Sequence, residues 1–107
     1  MIFIAVKWTI KPEYAERWPE LSKEFTDATR AEPGNIFFEW NRSISEENVY
    51  TLVEAFQDDA AEAHVGSDHF KKFTSEAPDY VTTTPGIISV QGVDGNGWGE
   101  MGEVQPR

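Results

Sequence analysis

Apolar residues recur along this chain in two rhythms. From Ile2 to Thr9 β-branched and aromatic residues run almost without charge, as in a strand at the centre of a sheet. Pro12 and Glu13 then suit a first helical turn, where proline forfeits no needed N–H and an acid faces the positive end of the helix dipole. Tyr14, Trp18, Leu21, Phe25 and Ala28 follow at steps of four, three, four and three, with Glu16, Glu20, Lys23, Glu24 and Asp27 elsewhere on the wheel. This spacing predicts one long amphipathic helix, kinked but not broken at Pro19.

Glu32-Pro33-Gly34 ends the helix and turns the chain. Residues 36–42 and 49–56 carry strand-like runs, joined by the polar stretch 43–48 into a hairpin. Asp59 and Glu62 have the spacing of a capping box for a short helix that Gly66 interrupts. Ser67 is placed to cap a second segment, in which Phe70, Phe73, Ala77 and Tyr80 share a face. Pro78 and the run 82–86 stop it, and residues 87–93 form a last strand. The order β-α-β-β-α-β predicts an α+β, ferredoxin-like domain over 1–93, an antiparallel sheet with its helices on one face. A Gly-rich tail, 94–107, shows no periodicity. Both alternating sets of the hairpin strands are apolar, so a second copy of the sheet is the simplest cover for the face that the helices leave open. A homodimer is the expected state.

Composition narrows the partners. Of 107 residues 19 are acidic and 9 basic, a formal charge of −10 that repels phosphate backbones and anionic membranes, so neither nucleic acid nor membrane is expected. Cysteine is absent, which removes disulfides, thiol nucleophiles and thiolate metal sites together. The start, Met1 to Lys7, has no basic region, apolar core or cleavage site of a signal peptide, so a cytoplasmic location is the expectation.

Glu32-Pro33-Gly34, the aromatic hairpin, Glu54-Ala55-Phe56, Ala63-His64 and Ser67-Asp68-His69-Phe70 together resemble the antibiotic biosynthesis monooxygenase domain, its small quinol monooxygenase members included. The resemblance implies a dimeric α+β barrel. It also implies oxygenation of quinols or anthrones by O₂ with no metal, haem or flavin, the substrate carbanion itself meeting the oxygen. Relatives on the same fold isomerise a small phosphorylated ketone or cleave haem. Aligning the Ser-Asp motif puts Lys7, His64 and Thr74 where haem-cleaving relatives use Asn, Trp and His, so haem cleavage is not implied.

With no thiol present, histidines and buried carboxylates are the groups suited to proton transfer near neutral pH. His64 falls at the family's histidine, as the base that would take a phenol or enol proton; otherwise it only complements a helix end. Glu54 stands in an apolar stretch, so it is either protonated and a relay to His64 or paired with Arg42, Lys7 or Arg30. His69 and Glu39 are further candidates for contact with substrate. Trp8, Phe38, Trp40, Tyr50, Phe70 and Phe73 could line a cavity for a flat aromatic molecule, or form plain core. As metal ligands His64 and His69 lack the i, i+4 helical spacing, and no glycine motif cradles a phosphate, so no cofactor is expected. Three functions stay open: a cofactor-independent monooxygenase for a quinol-like or polyphenolic substrate, an isomerase of a small keto compound, and a non-enzymatic dimer that binds a hydrophobic metabolite.

Overall fold

A computed structural model describes Met1–Arg107 and contains the four strands, β1 (Ile2–Thr9), β2 (Asn35–Arg42), β3 (Val49–Phe56) and β4 (Gly86–Val90). All neighbours are antiparallel, in the order β2-β3-β1-β4, so the charge-poor β1 is interior as its composition predicts. Ile4 lies opposite Glu54, and Glu54 opposite Phe38. Side chains alternate along a strand, so Ile4, Val6, Trp8, Phe38, Trp40, Tyr50, Leu52, Glu54 and Phe56 share one face. The helices cover this face, giving the ferredoxin-like arrangement.

The single helix expected after Pro12 is three pieces, α1 (Pro12–Ala15), α2 (Trp18–Leu21) and α3 (Lys23–Arg30). Pro19 has no N–H to give the carbonyl of Ala15, four residues back. The Tyr50 hydroxyl donates to that carbonyl instead, at 2.8 Å. At the second break Ser22 Oγ donates to the Trp18 carbonyl at 2.8 Å. The breaks let Trp18 and Phe25 both turn inward, where Trp18 packs 5.6 Å from Trp8 and Phe25 stacks on Phe73 at 4.1 Å between centroids. The next helix, α4 (Ala61–Val65), follows Ala60 without a side-chain cap, so the expected Asp59 box does not form. Ser67 does cap α5 (Asp68–Glu76), accepting from the Phe70 N–H at 3.2 Å. A 3₁₀ turn (Ala77–Asp79) continues α5 towards the last strand.

The opposite sheet face carries Phe3, Ala5, Phe37, Val53, Ile88 and Val90, with Ile88 and Val90 exposed. Beyond β4 the chain has no further helix or strand, yet it returns to the sheet. The Met1 ammonium donates to the Val93 carbonyl at 2.8 Å, and Trp98 stacks on Phe37 at 5.2 Å. No helix is long and apolar enough to cross a membrane.

Candidate functional site

β3 aims Glu54 at the helices, and the residue is 5% exposed. None of the three cations that sequence offered it as partners is there. Arg42 pairs with Glu16 at 2.7 Å, Lys7 with Glu46 at 3.2 Å, and Arg30 donates to the Phe38 carbonyl at 2.8 Å. Burial, and secondarily the negative charge of Glu32, raise the Glu54 pKa from 4.5 to about 7.

The group that faces Glu54 is His64, in the last turn of α4 and 3% exposed. Its ring lies 4.6 Å from that of Phe56 and 5.2 Å from that of Phe70. Nε2 stands 3.9 Å from Glu54 Oε1, beyond hydrogen-bond reach, whereas Nδ1 is 2.8 Å from Oε2 of Glu32. The same Oε2 meets Nε2 of His69 at 2.5 Å. An ionised carboxylate accepts only, so this geometry puts the protons on His64 Nδ1 and His69 Nε2 and leaves the other nitrogen of each ring free to take one.

Glu32 is the member that sequence reading missed as a functional group, taking it only for part of a turn. Its two partners are 32 and 37 residues away, and nothing local signals them. Gly34 makes the approach possible. A Cβ there would sit 2.1 Å from the Ala60 Cβ, while the Gly34 carbonyl accepts from the Gln57 N–H at 2.8 Å. Gly34→Ala is therefore expected to push Ala60, and α4 behind it, away from Glu32, costing roughly 1–3 kcal/mol in denaturant unfolding as overpacking does. An unchanged unfolding midpoint would show that the turn yields freely.

A cavity of about 320 Å³ opens between α2, α3 and α5, with Trp18, Leu21, Phe25, His69, Phe73 and Tyr80 in its wall and Arg17 and Lys72 among the charged groups around it. Its size suits a small aromatic molecule. His69, whose side chain is 22% exposed, is its histidine; His64 lies behind. Of the aromatics proposed as lining, Phe73 alone is in this wall. Phe38 and Tyr50 are core, Trp40 packs against that core and donates to Thr26 Oγ1 at 2.8 Å, and Phe70 packs on His64. Glu39 pairs in register with Val53 and so points to the other sheet face, away from this site. A second cavity, of about 460 Å³, is lined by Trp8, Thr74, Pro78 and residues 81–85 and holds no acid or base.

The comparisons with known proteins agree with this frame. The family model for antibiotic biosynthesis monooxygenase matches residues 1–76, which include Glu32, Glu54, His64 and His69. YcnE of Bacillus subtilis, provisionally named a monooxygenase, is 24% identical over 92 residues, 85% of this chain and 97% of its own. The uncharacterized protein sll1783 of Synechocystis is 29% identical over 79 residues, 73% of this chain and 54% of that one, so this chain spans about half its length. A Caulobacter crescentus structure, provisionally described as an antibiotic biosynthesis monooxygenase, superposes with a TM-score of 0.79 at 24% identity, covering 87% of this chain and 90% of the other. Its similarly described Nitrosomonas europaea counterpart gives 0.77 at 21% identity, covering 87% and 99%. Matched over most of its length by the family model and sharing the fold of these structures, the chain belongs to the antibiotic biosynthesis monooxygenase family.

Proposed function

We propose that this protein is a monooxygenase that needs no bound cofactor and oxidises a quinol-like or polyphenolic small molecule seated beside His69. The observation that carries this reading is the run of four titratable side chains, Glu54, His64, Glu32 and His69, buried at one end and reaching the cavity wall at the other. His69 takes the phenol proton on its free Nδ1, while Glu32, charged and accepting from Nε2, stabilises the imidazolium. His64 and Glu54 stand behind this pair, with 3.9 Å between His64 Nε2 and Glu54 Oε1. The substrate anion then gives its electrons to O₂, one oxygen atom ending as a product carbonyl and the other leaving as water.

The test is oxygen uptake on a panel of quinols and anthrones, run with a chelator present. Stoichiometric uptake with formation of a quinone product supports the proposal. Product without uptake would replace it with proton-shifting isomerisation, and ligand-induced stabilisation without turnover would replace it with binding alone.

We also propose that the open sheet face joins two copies. Phe3, Phe37, Val53, Ile88 and Val90 present apolar surface there that one chain leaves partly in water. Light scattering at micromolar concentration is expected to give twice the 12.1 kDa of one chain. A monomer would remove the barrel.

A further inference from the structure

We propose that Glu32, His64 and His69 form a binding site for one divalent cation of the zinc type. His64 Nδ1, His69 Nε2 and a Glu32 carboxylate oxygen lie within 4.8 Å of one another, one from the turn after α3, one from α4 and one from α5. Both nitrogens already converge on the same oxygen, at 2.8 and 2.5 Å. A cation placed between them takes over the role of the two ring protons. With bonds of roughly 2.0–2.2 Å to each ligand, tetrahedral neighbours stand about 3.4 Å apart, so the carboxylate oxygen recedes from both rings by less than about 1 Å while the two nitrogens, within 4.8 Å of each other, close to the same spacing.

The donor set selects the ion. Two imidazoles and one carboxylate suit first-row divalent ions such as Zn²⁺ or Co²⁺, whereas Mg²⁺ and Ca²⁺ demand oxygen. An acceptor for a ligand histidine lies nearby. With Nδ1 on the ion, the remaining N–H of His64 faces the Glu54 carboxyl at 3.9 Å, and a ring shift of about 1 Å would close that gap to a hydrogen bond in the carboxylate–histidine–metal order that orients ligands elsewhere. His69 borders the cavity, which leaves a fourth position for water. Sequence spacing hid this site. His64 and His69 are five residues apart across Gly66, and the third ligand comes from a turn far upstream.

The experiment uses the full chain, stripped with chelator and desalted, with no substrate present, so its outcome is separate from that of the oxygenase reading. Co²⁺ is titrated in and followed by its visible absorption, and Zn²⁺ by calorimetry. One ion per chain is expected, with the intense visible bands of low-coordinate Co²⁺, and neither Mg²⁺ nor Ca²⁺ should compete. Glu32→Gln and His69→Gln, which preserve side-chain bulk, should each weaken binding by more than about 100-fold. Glu54→Gln should weaken it by roughly 10-fold, as loss of an outer partner does. The surface variant Asp27→Asn should change nothing. Absence of the Co²⁺ bands, or Zn²⁺ isotherms that are the same for wild type and folded variants, would overturn the proposal.

Discussion

His69→Ala is expected to lower kcat/KM on a quinol by about 10²-fold to 10⁴-fold, the range for a lost general base, with little effect on folding. The ring stands at the cavity wall and is partly exposed, so truncation removes few core contacts. His64→Ala should also slow turnover, but by a different route. It empties a buried position between Phe56 and Phe70 and leaves Glu54 facing no imidazole, so a loss of stability of about 2–4 kcal/mol should accompany it. Comparing the two variants by steady-state kinetics and denaturant unfolding separates the base from the group behind it. A His69→Ala rate within about three-fold of wild type, too small a loss for a general base, would sink the assignment.

Glu54→Gln should change the pH dependence of stability more than any surface substitution. The folded pKa of Glu54, about 7, lies above the ordinary 4.5, so the folded chain holds this proton more tightly than the unfolded chain does. Stability contributed by the protonated form is full below about 4.5, falls as pH rises towards 7, and stays lost above it. The loss is on the order of 3 kcal/mol, one pKa unit being worth about 1.4 kcal/mol. Gln cannot ionise, so the variant should gain on wild type by that order at pH 8 and match it near pH 4. Urea midpoints across this range provide the check, and parallel curves for the two proteins would mean that Glu54 titrates as an exposed acid.

Much of the frame is local and therefore legible. Charge-poor β1, the hairpin around 43–48, the Ser67 cap and the acid inside β3 rest on alternation, capping chemistry and side-chain type within a few residues. Even the environment of Glu54 follows from its neighbours, since an acid among Leu52, Val53, Ala55 and Phe56 must lose water when that strand is covered. The split of the first helix did not follow. Its pattern is periodic throughout, and a break at Pro19 is tolerable because Tyr50, thirty-five residues beyond Ala15, reaches the Ala15 carbonyl that proline leaves unpaired. Strand register set which acids face the helices, placing Glu39 opposite Val53 and Glu54 opposite Phe38; a slip of one residue would reverse the pair. The site itself came from packing. The turn at Gly34 closes on Ala60 with no room for a side chain, and that contact brings Glu32 to two histidines whose spacing along the chain says nothing of a shared partner. Periodicity and propensity are properties of short stretches, whereas the meeting of three distant side chains depends on how whole elements close against one another.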